Sequence, residues 1–234
     1  MPFETRFLEP KDVEALLALE RTKWDRHQAA TGADLEARIR MYPQLSIGVF
    51  DSSSGVALAS LFMKPISGDR VCSAADWADC ARVEELSEDT VHSLFGISLT
   101  SVDADSVTAI FEFFWPYALN QGWRDIYLGS PMPGFRAWKQ ANPSSTAEVY
   151  MRERRHGLPR DPQLRYYYNK GFKEIVACKP GYFPHPASLD YGAVIRGRVP
   201  LSGGALLWRH VPLPWLQRLR HLLFRLVRTS RASS

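Results

Sequence analysis

The sequence predicts one α/β domain built on a mixed β-sheet with helices on its faces. The first observation is the order of the hydrophobic patterns, which is strand, two helices, three strands, helix, strand, helix and two strands. The second is a short aromatic helix, starting at Asp161, that stops at Gly171 and turns at once into a strand. The third is size, since 234 residues with 45% apolar and 23% charged residues suffice for one core with appendages.

The N-terminal half supplies the first strands and helices. A strand is predicted over Phe3–Leu8 and a helix over Glu9–Trp24, whose period is marked by Val13, Leu16, Leu17 and Glu20. Leu35, Ile39 and Tyr42 mark a second short helix, which Pro43 closes. The next segments are predicted as a hairpin with a turn at Asp51–Gly55, formed by the strands Leu45–Phe50 and Val56–Lys64. Gly68–Leu94 is predicted as an acidic loop with a short helix around Ala74–Val83.

The C-terminal half completes the sheet. A strand is predicted over Phe95–Val102, followed by a long helix over Ser106–Gln121 that ends at Gly122. Asp125–Gly129 is apolar enough for a central strand, and residues 130–160 are predicted as an extended insertion. The last two strands are predicted over Lys173–Lys179 and Tyr191–Arg196.

The aromatic helix has clear start and stop signals. Asp161 is predicted to cap it and Pro162 fits its first position. Leu164 and Tyr168 share a face, and Gly171 supplies the left-handed conformation that ends the helix. The chain is then predicted to enter the core at Phe172.

Charge is unevenly distributed along the chain, although the net charge is only +4. From Leu201 onward there are six arginines and no acids, whereas the first 200 residues carry 23 basic and 25 acidic groups. A nearly neutral body argues against a nucleic-acid-binding core, so no nucleic-acid partner is expected.

Cysteine usage and the N-terminus indicate the compartment. The three cysteines, Cys72, Cys80 and Cys178, are odd in number and show no metal spacing, which favours free thiols in a reducing cytoplasm and no metal. The N-terminus has early acids and no apolar signal region, and no run reaches the length of a membrane span.

Several motifs resemble the GNAT superfamily of N-acyltransferases. The first is Tyr167 followed by Gly171 and Phe172 at the end of the aromatic helix. The segments GSPMPGF from Gly129 and PGYFPHPASLDYGAVI from Pro180 are similar to GNAT domains found fused to nitrilase-like amidohydrolases. The resemblance implies a GNAT-like acyltransferase domain over residues 1–199, followed by a linker and a helix over residues 200–234.

The resemblance also implies a reaction and its residues. An acyl group would move from acetyl-CoA or another acyl thioester to a small-molecule amine, without a metal. Tyr167 would protonate the departing thiolate, with Ser130 as a possible helper, although Tyr167 could instead be only a packed tyrosine. His92 and Glu112 are possible bases. The donor would lie between the strands Phe95–Val102 and Asp125–Gly129, and the implied donor-binding residues are Leu99, Thr100, Ser101, Val102, Ser106, Val107 and Thr108.

The predicted phosphate loop departs from the GNAT pattern. Such a loop normally offers glycines and basic residues at a helix N-terminus. Val102–Val107 has neither and carries Asp103 and Asp105, one of which is predicted as the N-cap of the long helix. Three alternatives stay open: a grip by Arg152, Arg154 and Arg155, an acyl carrier protein as donor, or a binding module without turnover.

The basic tail is predicted to form an amphipathic helix. Its apolar positions recur with helical spacing and are Trp215, Leu216, Leu219, Leu222, Leu223, Leu226 and Val227. Arg218, Arg220, Arg225 and Arg228 lie largely opposite. Such a helix suits peripheral contact of residues 214–228 with an anionic membrane, for instance at the inner face, or packing on the body or across a homodimer.

Overall fold

The computed structural model describes residues 3–23, 29–85 and 91–221. Among these residues, seven strands form one mixed sheet in the order β1-β2-β3-β4-β5-β9-β8, and two short strands form a separate hairpin. The sheet strands are β1 (Phe3–Phe7), β2 (Ser46–Asp51), β3 (Ala57–Pro65), β4 (Ser93–Ser101), β5 (Asp125–Pro131), β8 (Glu174–Lys179) and β9 (Gly192–Arg198). The hairpin consists of β6 (Arg154–Arg155) and β7 (Leu158–Pro159).

Helices cover both faces of the sheet. They are α1 (Val13–Glu20), α2 (Gly32–Met41), α3 (Gly68–Ser73), α4 (Trp77–Ala81), α5 (Ala104–Gln121), α6 (Phe135–Ala141), α7 (Ala147–Arg152), α8 (Pro162–Asn169), α9 (Ala205–Trp208) and α10 (213–221). The predicted α/β class and the order of the main elements are confirmed. β5 lies between β4 and β9, in the interior of the sheet as predicted.

Three predicted segments differ in detail. The first predicted helix, Glu9–Trp24, begins as a 3-10 turn at Pro10–Asp12, and α1 ends at Glu20, while residue 24 lies outside the described residues. The short helix predicted around Ala74–Val83 corresponds to α4, but the predicted loop before it contains a further helix, α3, which Ser67 caps. The insertion predicted over residues 130–160 contains two helices and a hairpin, namely α6, α7 and β6–β7.

The two faces of the sheet bury different helices. On one face, α1 to α4 pack against Phe62, Phe95 and Tyr127. On the other face, α5 packs against the β1–β4 part of the sheet, and α6 to α8 pack against β9 through Ala193 and Ile195. The helices on this second face therefore form two groups, α5 and α6 to α8, and the boundary between the groups lies above the junction of β4 and β5.

β4 and β5 diverge along that boundary. They pair in parallel only over Ser93–Gly96 with Asp125–Leu128, and of the described residues none of β5 pairs with β4 beyond this point. Ile97 is an extra residue in β4 relative to β3, which is a β-bulge. Bulges bend a strand and increase its twist, so β4 leaves β5 while staying paired with β3 up to Ser101. The sheet is therefore split between β4 and β5.

The C-terminal arm packs on the body as far as the structure describes it. Trp115 Nε1 donates to the Pro200 carbonyl at 2.9 Å, and Leu216 of α10 is buried in the cluster formed around α5. Gln217 Nε2 donates to the Tyr117 hydroxyl at 2.8 Å, and His221 Nδ1 lies 3.4 Å from Glu112 Oε2. These contacts support packing on the body for 213–221; the predicted helical positions from 222 onward lie outside the described residues.

None of the helices in the described ranges is both long enough and apolar enough to cross a membrane.

Candidate functional site

The predicted thiolate-side residue, Tyr167, lies on α8 in the apolar cluster that also contains Leu128 of β5. Its ring meets Phe172 edge-on, with 6.0 Å between the ring centroids. Of its neighbours, Tyr166 is exposed, and Tyr168 carries Arg154 over its ring at 5.0 Å. Tyr167 is thus the tyrosine of the three that faces the β5 side of the split.

Burial keeps the Tyr167 hydroxyl in its protonated form. Burial raises the pKa of this hydroxyl, and a hydrogen bond with the Gln163 side chain opposes the shift without reversing it. A raised pKa keeps a phenol protonated at neutral pH. The geometry is compatible with both interpretations of Tyr167, as an acid and as a packed tyrosine.

Asp161 fixes the position of α8. Its Oδ1 accepts from Gln163 N at 2.9 Å and from Leu164 N at 3.2 Å, which caps the helix as predicted. Its Oδ2 accepts from the Tyr150 hydroxyl at 2.9 Å and from Gly134 N at 3.0 Å. The side chain is almost fully buried, so one carboxylate ties α8 to α7 and to the start of α6. At the other end of α8, Gly171 has a φ of 103°, which confirms its predicted left-handed backbone.

Ser130, the second predicted catalytic residue, is fully buried in β5. Its Oγ donates to the carbonyl of Pro131 at 3.0 Å. The hydroxyl would have to release this bond before it could donate to a substrate.

The predicted donor-binding residues fall into two groups. Ser101 and Ser106 meet at the start of α5, with 3.0 Å between their hydroxyls, and Val107 is buried next to them. Thr100 instead faces α1, where its Oγ1 donates to Glu20 Oε1. Of the remaining positions, Leu99 packs in the α5 cluster, Val102 N donates to the Leu58 carbonyl at 2.9 Å, and Thr108 Oγ1 donates to the Ala104 carbonyl at 3.0 Å.

The N-terminus of α5 is already capped by an acid. Asp103 Oδ1 accepts from Ser106 N at 2.7 Å, so the N-cap interpretation is supported. Asp105 is exposed in the first turn. Two carboxylates oppose a phosphate at this helix end, because like charges repel and one N–H is occupied. The alternative cations stand elsewhere: Arg152 ends α7, and Arg154 and Arg155 form β6 near α8.

The two suggested bases lie away from the split. The His92 carbonyl accepts from Arg124 N at 2.8 Å, which places His92 at the closed end of the β4–β5 pair. Glu112 lies on the outer side of α5, against α10. Sequence reasoning passed over Glu20, a buried carboxylate beside β4, although it marks the apolar period of α1. An acid at an apolar position of a helix was the available signal.

Other features of the described residues do not add to this site. A cavity of about 530 Å³, lined by Tyr42, Phe114, Tyr117 and Trp123 among others, lies beside the C-terminal end of α5 and so at the opposite end from Asp103. No cluster of His, Cys, Asp and Glu side chains suited to a metal ion occurs within the described ranges.

Solved structures of GNAT proteins share this fold. A GphF GNAT-like decarboxylase in complex with isobutyryl-CoA is 21% identical, with 84% of this chain and 99% of that chain covered at a TM-score of 0.67. The loading GNATL domain of CurA from Lyngbya majuscula is 16% identical, with 85% and 98% covered at a TM-score of 0.68. An aminoglycoside 6'-N-acetyltransferase from Enterococcus faecium is 14% identical, with 85% and 97% covered at a TM-score of 0.52.

No protein-family model matches the chain, and no curated protein matches it. At these identities the likeness concerns the fold, and the fold is that of the GNAT proteins. The finer resemblance to nitrilase-fused GNAT domains stays a prediction.

Proposed function

We propose that the protein is an N-acyltransferase that moves an acyl group from a thioester donor to a small-molecule amine. The observation that carries the proposal is the split between β4 and β5, with Tyr167 on its β5 side, in a GNAT fold. Of the similar structures, one is in complex with isobutyryl-CoA, one is a loading domain and one is an acetyltransferase, which supports a thioester donor as the shared chemistry.

The chain's own groups suit each step. The pantetheine arm of the donor would hydrogen-bond the edge of β4 that β5 leaves after Gly96. The amine nitrogen attacks the thioester carbonyl and loses a proton to solvent water, and the C–S bond then breaks. The departing thiolate takes the proton of the Tyr167 hydroxyl, whose raised pKa keeps that proton in place at neutral pH. Ser130 would assist at the carbonyl or sulfur, as the family resemblance implies.

The acidic start of α5 bears on the choice of donor. Asp103 and Asp105 disfavour the pyrophosphate of CoA at that helix end. An acyl carrier protein, whose arm carries one phosphodiester, is therefore the alternative donor, and Arg152, Arg154 and Arg155 are the proposed cations for a CoA grip elsewhere. The same acids favour the second candidate function, a binding module that holds a carrier protein or small ligand without turnover.

A thiol-release assay separates these functions. The full chain is assayed with acetyl-CoA, longer acyl-CoAs and acyl carrier protein, each with and without a mixture of primary amines. We expect amine-dependent thiol release with at least one donor. A donor-induced rise in Tm without release would support the binding module. No release and no change in Tm with any donor would contradict both functions.

We also propose, for the C-terminal arm, peripheral contact of residues 214–228 with an anionic membrane at its cytoplasmic face. In support, Trp215 is 60% and Leu219 43% exposed although Leu216 of the same helix is buried. Exposed apolar side chains near arginines suit anionic lipid. A homodimer contact through the same side chains is the alternative.

A further inference from the structure

A polar cluster interrupts the apolar layer between α1, α2 and the free part of β4. We call it the β4 cluster, and it consists of Glu20, Arg38, Ser60, Ser98 and Thr100. Ser60 pairs with Thr100 across β3 and β4, and Ser98 pairs with Phe62, which places the three hydroxyl residues on one face. Ser98 and Thr100 follow the bulge at Ile97, where β4 separates from β5.

Arg38 is the unusual member of the β4 cluster. It is 8% exposed, and its Cζ lies 5.7 Å from the centre of the Phe62 ring. No hydrogen bond and no ion pair joins its guanidinium to any residue in the described ranges, although Asp34 and Glu20 contribute longer-range attraction. Burial lowers the pKa of Arg38, because lost hydration outweighs that attraction. A buried guanidinium with five donors and no acceptor is unfavourable unless an anion meets it.

Two hydroxyls near Phe62, the ring that Arg38 covers, also lack a partner among the described residues. Ser60 is 1% exposed, and neither its Oγ nor the buried Oγ of Ser98 has a hydrogen-bond partner among the described residues. Buried polar groups without partners are rare in native structures and call for an explanation such as a bound molecule. These hydroxyls are a second observation, independent of Arg38, that points to a polar ligand.

Glu20, in contrast, is satisfied. Its Oε1 accepts from Thr100 and its Oε2 accepts from Ala30 N at 3.5 Å. Glu20 therefore does not need Arg38 as a partner, and the guanidinium is left for a second acceptor. The planar fork of a guanidinium pairs with two oxygens of a carboxylate or of a phosphate. Of these two anions the carboxylate is the smaller, and it suits a cluster as buried as this one.

We propose that Arg38 binds the carboxylate of a small substrate in the β4 cluster, with Ser60 and Ser98 as additional donors. The inference deepens the proposed function and rests on it. Tyr167 lies on the α8 face of the sheet and the β4 cluster on the α1–α2 face, so Tyr167 and the bound carboxylate would not compete for one position. An acceptor with both an amine and a carboxylate is an amino acid. A carboxylate on the acyl group of the donor has the same chemistry.

The first experiment tests whether the bound carboxylate belongs to the acceptor. Thiol release from acetyl-CoA is measured with single L-amino acids and with their amides, which keep the amine and lack the carboxylate. The Arg38→Gln variant is expected to lose activity on the acid by about tenfold or more while activity on the amide changes little. Arg40→Gln is the control, because Arg40 lies on the same helix but is exposed and paired with Glu36.

A second experiment tests whether the bound carboxylate belongs to the acyl group of the donor. Binding of malonyl-CoA and acetyl-CoA is compared by calorimetry for the wild type and both variants. A preference for malonyl-CoA that Arg38→Gln removes assigns the carboxylate to the donor. A preference for the amino acid over its amide that the same variant removes assigns it to the acceptor.

A third measurement does not depend on turnover. The rise in Tm caused by an amino acid is compared with the rise caused by its amide, without any donor. If the wild type uses no thioester but shows a carboxylate-dependent rise that Arg38→Gln abolishes, the proposed function fails and the Arg38 site stands. If Arg38→Gln does not fold, Arg38→Lys replaces it, since the charge is kept and the fork is lost.

The inference is overturned by either of two results. One is a wild type that shows no preference for the carboxylate-bearing probe in any arm. The other is a preference that survives in Arg38→Gln or Arg38→Lys, or that falls equally in Arg40→Gln.

Discussion

The hydroxyl of Tyr167 is held in its protonated form by burial. We expect Tyr167→Phe to lower the rate of acyl transfer by about 10²- to 10⁴-fold, the range typical for a general acid. A general acid must carry its proton, and the pKa of Tyr167 is raised above the ordinary tyrosine value of about 10. At any pH up to about 9, therefore, the wild-type rate should not decrease through loss of this proton. The measurement is kcat against pH for both proteins.

Tyr166→Phe is the control for this prediction. Tyr166 is the exposed neighbour on the same helix, and its loss of a hydroxyl should leave kcat unchanged. Full activity in Tyr167→Phe would show that Tyr167 only packs against Phe172.

Asp161 stabilises the fold by linking α8 to α6 and α7. Asp161→Ala removes a helix cap and leaves the Tyr150 hydroxyl and Gly134 N without their acceptor, so we expect the free energy of unfolding to fall by about 2–4 kcal/mol. Asp103→Ala removes only an exposed cap and should cost about 1 kcal/mol. Urea denaturation measures both, and equal losses would show that the buried contacts of Asp161 contribute little.

At the scale of elements, the charge at the start of α5 should set the affinity for CoA. Asp103→Asn keeps a good cap, and Asp105→Asn removes an exposed acid. Each should tighten CoA binding by about two- to fivefold, the effect of one charge at a helix terminus.

Acetyl-pantetheine, which has no phosphates, is the control ligand, and its affinity should not change in either variant. An equal gain for both ligands would mean that the acids act on the pantetheine arm or on stability. No gain for either would place the phosphates away from α5.

The packing of α10 predicts that two of its leucines contribute unequally to the free energy of unfolding. Leu216→Ala opens a cavity beside α5 and should lower the free energy of unfolding by about 2–4 kcal/mol. Leu219→Ala, on the same helix, should change it by about 0.5 kcal/mol or less, because Leu219 is half-exposed. Equal effects in urea denaturation would contradict the packing of this helix on the body.

The membrane contact proposed for 214–228 belongs to the same element. Co-sedimentation with vesicles containing anionic lipid is expected for the wild type and weaker for the Trp215→Ala, Leu219→Ala double variant, whose changed side chains are exposed. Vesicles of neutral lipid are the control. Equal sedimentation of wild type and variant, or none at all, would contradict the contact.

Elements with local signals could be predicted from the sequence, and elements that depend on distant contacts could not. The start of α8 at Asp161 and its end near Gly171 are set by neighbouring residues, and the structure confirms both. The short helix α3 was missed because the cap at Ser67 was not recognised. Tyr167 could be singled out from its spacing, but the β4 cluster joins residues up to 80 positions apart, as in the Glu20–Thr100 bond.

For the whole molecule, pH should control stability through carboxylates. Neighbouring hydrogen-bond donors lower the pKa of Asp51 and Asp79 to about 2, and those of Asp12, Asp34 and Glu84 are also lowered. A carboxyl whose pKa is depressed by folding stabilises the protein above its unfolded pKa of about 4, and that stability is lost as pH falls toward about 2.

Thermal unfolding at pH 7, 5, 4 and 3 tests this expectation. The Tm should fall mainly below pH 5, and the fall should be smaller in Asp79→Asn, which removes the carboxylate charge that Arg70 pairs with. Asp105→Asn, in the exposed first turn of α5, is the comparison variant. A Tm that falls equally in all three proteins would exclude Asp79 as a contributor.

The divergence of β4 from β5 also divides the sheet's backbone hydrogen bonds. β1–β4 come from residues 3–101, and β5, β8 and β9 come from residues 125–198. In the described sheet, these two parts are joined only by the pairing of Ser93–Gly96 with Asp125–Leu128. The backbone amides of each part can therefore exchange with solvent as a separate unit. A donor arm lying between β4 and β5 would link the units, and slower amide exchange on both sides would then report its binding.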